Sequence, residues 1–531
     1  MIKHRYLSLL LVYFILVSIW GAFGYFSIGA LTDTYSDVFS AMTSSLWNKC
    51  VNAVPYIDVH RYRPFFFLFL QGITSLSLLL GFSVQNYVLI KLIIIIFYFG
   101  VGFVVYKILL EINDNYFNAF LAFLVTILYP NNLNSLFWMA GILELLVVIL
   151  FLSALLFRII SVKTNESKYY IFSVFCFIFA LFTKETALIY PFVGLIILFI
   201  SFPREIIAKY HRQFLIDSLV LLIFLIIRFT VVLPQTEMGI ISNITDMFPS
   251  VKAMGGILIK SCFSLILPFD YFQTLEGLSS FNLYIVFYIL VTLTTLAVVF
   301  YKSSKKVVTI SIIVFIISVL PFIIAGYMRP QLILLPFCLV IITLSAQDIK
   351  ISKFLLFILI TLWIYEGIKI ERYWDLAYNK FQRTIELLSK IDTGDKTTVV
   401  AGVPSRIKQH YIADNIMFPF NLKKYGAFVI RDTLIDIPRL VYLSTEAIEK
   451  EITITKKGKD NYLLSCPDRN LFFYFPDEET RTQKDVFEDN FLKMTIIERN
   501  EYSKPSQVLL ELKRSDLKYF FMQPDRIINL R

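Results

Sequence analysis

The chain has 531 residues, a net charge of +10 and a 57% hydrophobic share. A water-soluble globular chain holds roughly 45–50% apolar residues, and the mean hydropathy here is +0.69. Of the 40 acidic residues, 24 follow Ile370 and 16 precede it. Apolar runs such as 92–106 and 145–157 cannot stay in water, which excludes a wholly soluble protein. The positive charge calls for no nucleic acid, because membrane topology accounts for much of it.

In chain order, the apolar stretches predict eleven membrane spans near 6–28, 86–110, 117–130, 137–158, 169–183, 187–202, 214–233, 283–301, 307–325, 331–347 and 354–370. The first follows Lys3, His4 and Arg5. It is longer than the roughly 7–15-residue core of a signal peptide and lacks a small-residue cleavage site, so it reads as a retained helix. Segments 64–82 and 247–267 are also apolar, yet as spans each would invert the charge alternation. They read as in-plane or re-entrant helices on the outer face. If both span instead, their even number leaves the final topology unchanged. The loops holding Arg158, Lys163 and Lys168, then Arg204, Lys209 and Arg212, then Lys302, Lys305 and Lys306, and finally Lys350 and Lys353 are short and cation-rich. That pattern puts them, and the N-terminus, in the cytoplasm. An odd number of spans then leaves the C-terminal part outside.

After Lys369 the character changes. Residues 372–391 predict an amphipathic helix leaving the membrane. Strand-like runs follow at 397–403, 426–430, 440–443, 451–455, 471–475, 494–498 and 507–512, with a hairpin loop at 457–461. The expected fold is therefore a polytopic α-helical membrane domain over 1–370, with a first outer loop at 29–85, and a soluble extracytoplasmic α+β domain over 371–531. The five cysteines show no paired spacing, so no disulfide framework or metal site is implied.

Ionisable residues within or beside a membrane are costly, which makes them functional candidates. Outer-face acids are Asp33, Asp37, Asp58, Glu185, Glu237, Asp246, Asp270 and Glu276; outer-face cations include Arg61, Arg63, Lys91, Lys184, Arg228 and Arg329. Cations at headgroup depth suit phosphate oxygens, and a carboxylate there suits removal of a proton. Asp33 and Asp37 stand four apart and would share one helical face. The plain alternative is a helix cap by Asp33 with a solvated Asp37. For Lys184 and Glu185 it is an ordinary interfacial ion pair, and for Arg329, Arg228 and Lys91 it is snorkelling to the interface. Trp138 can equally be an aromatic-belt residue.

Four elements stand in a telling order: a first-loop Asp, Tyr-Arg-Pro, Trp-x-x-Gly and Thr-Lys-Glu-x-Ala-x-x-x-Pro. Asp58-Val-His-Arg-Tyr-Arg-Pro64 lies in the first outer loop, and Asn134-Ser-Leu-Phe-Trp138-Met-Ala-Gly141 follows Tyr129-Pro130. Thr183-Lys184-Glu185-Thr-Ala-Leu-Ile-Tyr-Pro191 joins the fifth and sixth predicted spans. Over residues 1–370 this series resembles the GT-C class of polyprenyl-phosphate-sugar-dependent glycosyltransferases, in the branch of protein O-mannosyltransferases and bacterial envelope-sugar transferases. The chain departs from that pattern at Asn134, where an acid is common, and at Asp33-Thr34, where an acidic pair is common.

The resemblance implies inverting transfer of a single sugar from a polyprenyl-phosphate carrier to a hydroxyl of a glycan, lipid or protein acceptor, with a cell-envelope glycan such as O-antigen the natural acceptor. It implies a bacterial inner membrane, with Asp33 as general base and Asp37 next. Lys184, Glu185 and Arg329, with Arg63 and Arg228, would line the donor lipid-phosphate cavity. Trp138, Asn134, Asp58 and His60 are weaker sugar or acceptor candidates. A divalent cation stays open. The competing expectations are an O-antigen polymerase or ligase, with essential residues in a large late loop, and a flippase or transporter, with internal repeats and mid-membrane charges.

Overall fold

The computed structural model describes residues 2–22, 25–26, 28, 38, 41–42, 44–50, 54–56, 59–81, 88–202, 211–228, 251–268, 283–325, 329–346, 353–388, 398–404, 406–407, 410–411, 442–445, 453–465, 486–488, 492–499, 505–513, 518–522 and 527–530. One compact unit comprises Met1–Gly29 and Asp37–Arg372, and a second contains Tyr373–Arg531.

The first unit is helical. Val88–Asn113 and Met139–Thr164 run 26 residues each, and Leu283–Lys302 and Lys305–Ile324 run 20 each. At 1.5 Å per residue, 20 residues cover about 30 Å, the thickness of a hydrocarbon core. These four helices are long and apolar enough to cross a membrane, and the pair Tyr116–Leu128 and Pro130–Phe137, bent by 60°, makes a fifth if it counts as one span. Eleven such helices are not found among the described residues. Six further apolar helices run only 10–17 residues, among them Ser167–Thr183, Glu185–Ser201 and Gln331–Ser345. The expected last span and the amphipathic helix after it form one continuous helix, Lys353–Leu388, of 36 residues.

Proline sets where the apolar stretches break. Tyr129 and Arg329 are extended (φ −62°, ψ 124° and φ −126°, ψ 156°), and each precedes a proline at a helix start. The proline ring clashes with a helical residue before it, so the chain turns there. Pro191, at the start of Tyr190–Ser201, has no N–H to return to residue 187. Glu185–Ile189 accordingly forms a 3-10 turn. The Pro130–Phe137 helix is buried over all eight residues and packs against the Pro330–Ile333 turn. It then folds back through Met139–Gly141, where a Cβ on Gly141 would stand 2.6 Å from the Ser135 carbonyl oxygen. Only glycine permits that approach. Tyr129 stacks on Phe337 at 4.0 Å and meets Trp363 edge-on at 5.5 Å, so the break is clamped from two sides.

In the second unit, Thr453–Lys456, Asn461–Ser465, Pro505–Leu512, Leu492–Arg499 and Val486–Glu488 form an antiparallel sheet in that order. A four-stranded sheet orders Ile527–Asn529, Lys518–Met522, Thr398–Pro404 and Tyr442–Thr445, in which Thr398–Pro404 pairs parallel with both of its neighbours and Ile527–Asn529 pairs antiparallel with Lys518–Met522. Alternate residues Tyr462 and Leu464, opposite Leu510 and Val508, are buried on one face of the first sheet, as a half-buried antiparallel sheet requires. The turn expected at 457–461 is present: Lys457 N–H donates to the Asn461 carbonyl at 2.8 Å. The strands expected at 426–430 and 471–475 lie outside the described residues.

Candidate functional site

Charged side chains gather where the helices of the first unit break. Lys184 is extended (φ −161°, ψ 145°) between Ser167–Thr183 and the Glu185–Ile189 turn. Successive side chains on extended backbone point to opposite sides, so Lys184 and Glu185 take different partners. Lys184 Nζ pairs with Glu144 Oε1, and both side chains are under 10% exposed, at 6% and 9%. Glu144 sits in the first turn of Ile142–Thr164, directly after the Gly141 turn.

Glu185 instead meets two arginines. Arg228 Nη2 lies 2.8 Å from its Oε1 and Arg63 Nη2 lies 3.5 Å from its Oε2. Arg63 immediately precedes the Pro64–Leu79 helix, and Arg228 follows His211–Ile227. Three separate helix ends thus converge on one carboxylate. Burial alone would raise the Glu185 carboxyl, but Arg63 and Arg228 overcome it and hold the group down at about 2. Glu185 is 29% exposed and Arg228 28% exposed, so this cluster is reachable in a way the Lys184–Glu144 pair is not. Arg228 Nη1 is buried with no hydrogen-bond partner among the described residues. A guanidinium N–H in that state is a donor suited to an incoming oxyanion.

The other expected residues are placed as follows. Arg329 is half-buried at the head of Pro330–Ile333. Asn134 is buried within Pro130–Phe137, and Trp138 is half-buried at that helix's end. Asn131, which sequence reasoning passed over, anchors the broken segment: its Nδ2 donates to the Ser264 carbonyl at 2.8 Å and the Leu267 carbonyl at 3.0 Å. His60 is in a two-stranded hairpin, Val54–Tyr56 with Val59–Arg61, opposite Pro55. Asp33, Asp37 and Asp58 lie outside the described residues.

Lys184 is held by the buried Glu144 carboxylate, and two readings of the sequence differ in the structure. Lys91 does not snorkel: its Nζ donates to the carbonyls of Phe26 at 2.8 Å and Tyr25 at 3.3 Å, fastening the chain beyond the first helix. Arg158 is not in a loop. It is buried within Ile142–Thr164 and paired with Asp217 of His211–Ile227, and its guanidinium lies 4.8 Å from the Tyr170 ring centre. The one sequence signal for that pair was a lone aspartate inside an apolar helix. The signal for Glu144 was likewise an acid in an apolar run. Among the described residues no group of three or more His, Cys, Asp and Glu side chains is arranged to hold a metal ion.

No protein-family model matches the sequence, and no curated protein matches it. The functional reading therefore rests on the residues.

Proposed function

We propose that the chain is a membrane glycosyltransferase of GT-C type that moves one sugar from a polyprenyl-phosphate carrier to an acceptor hydroxyl on the outer face of a bacterial inner membrane. The observation that carries this reading is the Arg63–Glu185–Arg228 cluster at the broken end of an apolar helical unit, with an unpartnered Arg228 N–H beside a partly exposed carboxylate. Guanidinium groups at that place suit the phosphate of a lipid carrier. The Tyr-Arg-Pro and Lys-Glu-x-Ala-x-x-x-Pro elements contribute Arg63 and Glu185 to one cluster, although 122 positions separate them.

In this reading Glu185 orients the two arginines, and an arriving phosphate shares them with it. Lys184 and Glu144 hold the Glu185 turn from behind. Asp33, or Asp37, removes the proton of the acceptor hydroxyl as its oxygen attacks the anomeric carbon. The C–O bond to phosphate breaks, polyprenyl phosphate leaves with the electron pair, and the anomeric configuration inverts. The acceptor is a cell-envelope glycan such as O-antigen, and the C-terminal domain and catalytic loop share the extracytoplasmic side.

The test is transfer of radiolabelled hexose from polyprenyl-phosphate-hexose by purified wild type, Asp33→Asn, Asp37→Asn and Arg228→Met. The proposal expects Arg228→Met to lose at least tenfold in kcat/KM, a loss of about 1.4 kcal/mol, and one aspartate variant to lose far more. Full activity in both aspartate variants would remove the proposed base.

A further inference from the structure

The turn between the two 20-residue helices, Leu283–Lys302 and Lys305–Ile324, carries charge that the reading above does not use. Placed across a bilayer, helices of that length leave their connection at the depth of the lipid headgroups. Tyr301 is 91% exposed there, and Lys302, Lys305 and Lys306 are exposed beside it. Tyrosine next to lysine is a pairing suited to a membrane–water interface. Beneath them Val299 and Val307 pack with Leu344 and against Ile200 and Val340. The turn therefore rests on two further helices, Tyr190–Ser201 and Leu334–Ser345.

The three lysines are not electrostatically alike. Lys302 closes its helix, where the carbonyl end of the macrodipole favours a cation. Lys305 and Lys306 open the next helix, at the end that disfavours one, and its first turn holds no acid. A bias for cations in cytoplasmic loops accounts for lysines near a turn, but not for two at the positive end of a helix dipole. Among the described residues neither of these two has a carboxylate partner. The backbone adds donors at the same place. The Ser304 hydroxyl accepts from the Val307 N–H at 3.4 Å. The N–H groups of Lys305 and Lys306 come too early in the helix to meet a carbonyl one turn back. The Ser303 hydroxyl is buried with no hydrogen-bond partner among the described residues. Two ammonium groups, two backbone N–H groups and a hydroxyl around one turn suit an anion with several acceptor oxygens. At headgroup depth the abundant anion of that kind is the phosphate of a lipid.

We propose that the turn over residues 301–306 binds the headgroup of an anionic phospholipid, with Lys305 and Lys306 as its charged ligands. Such a lipid would fasten the helices packed around Val307 to the bilayer. The site shares no residue with the Arg63–Glu185–Arg228 cluster and holds whatever reaction the chain performs. The experiment titrates the purified full chain in detergent micelles with phosphatidylglycerol or phosphatidylcholine and counts bound lipid by native mass spectrometry. Wild type is compared with three paired variants: Lys305→Gln with Lys306→Gln, Lys305→Arg with Lys306→Arg, and Lys456→Gln with Lys457→Gln. The last pair removes the same charge from exposed lysines of the C-terminal unit. Wild type is expected to bind phosphatidylglycerol about tenfold more tightly than phosphatidylcholine. The glutamine pair at 305 and 306 should bring the two lipids to within about twofold of each other, while the arginine pair and the C-terminal pair behave as wild type. Equal binding of both lipids by wild type overturns the proposal, as does an unchanged preference in the 305 and 306 glutamine pair. An equal loss in the C-terminal pair would reduce the effect to net charge and overturn it too. Displacement of phosphatidylglycerol by an equal concentration of sodium phosphate would show a free-anion site and contradict the lipid assignment.

Discussion

Lys184 and Glu185 are neighbours in sequence and opposites in environment. The Lys184–Glu144 pair is buried, so removing one partner leaves a lone charge in an apolar setting. Lys184→Met is expected to destabilise the protein by roughly 3–5 kcal/mol, read as a lower denaturation midpoint. Glu144→Leu with Lys184→Leu should recover most of that loss, and the double-mutant cycle between the two positions measures the coupling. Glu185 behaves differently with pH. Its folded carboxyl, at about 2, lies below the ordinary value of 4.5. Its contribution to stability is therefore fully present above about 4.5 and is lost as pH falls through about 2. Denaturation midpoints between pH 5 and 8 should accordingly be the same for wild type and Glu185→Gln up to a constant offset. The lysine and glutamate were legible as a motif, but their partners were not. Glu144 lies 40 positions from Lys184 and Arg228 lies on another helix, and one sequence without its fold carries no signal for such pairings. Arg158 and Asp217 were hidden for the same reason, 59 positions apart.

Among the elements, proline explains most of what the apolar pattern missed. Hydropathy alone reads 117–130 and 137–158 as two ordinary spans. Tyr129-Pro130 and Gly141 convert the junction into a bent pair with a buried eight-residue helix. The prolines were visible in the sequence; the direction of the return was not, because packing of Tyr129 against Phe337 and Trp363 sets it. Gly141→Ala should test this. Its Cβ would press on the Ser135 carbonyl oxygen, so the expected cost is about 1–3 kcal/mol, with a larger loss for Gly141→Val. A similar strain is expected at Gly367, where a Cβ would meet Trp20 at 2.6 Å and Leu133 at 2.7 Å. Unchanged thermal midpoints in both alanine variants would mean that these contacts relax freely. Strand placement in the C-terminal unit was legible where residues alternate, as at 507–512. The strands Asn461–Ser465, Lys518–Met522 and Ile527–Asn529 were missed; Lys518–Met522 pairs parallel with Thr398–Pro404, a contact far along the chain.

For the whole molecule, composition separated a helical, membrane-capable body from a β-rich C-terminal part, while among the described residues four helices, or five with the bent pair, are long and apolar enough to cross a membrane. Apolar length alone cannot distinguish a crossing from a short helix packed among others. The orientation proposed for the chain has a direct test. With the C-terminal unit outside, a cysteine introduced at Lys457 should react with a membrane-impermeant maleimide in intact spheroplasts, and one introduced at Lys163 should react only after lysis. The reverse pattern would place the Glu185 cluster on the cytoplasmic side and remove the carrier-lipid argument. The central claim is the transfer of one sugar from a polyprenyl-phosphate carrier. Its most direct measurement incubates the purified chain with polyprenyl-phosphate-[14C]hexose and an envelope-glycan acceptor, then sizes the labelled product. The account predicts acceptor lengthened by a single hexose of inverted anomeric configuration, together with free polyprenyl phosphate. Transfer of intact oligosaccharide blocks, or no release of polyprenyl phosphate with any hexose, would contradict it.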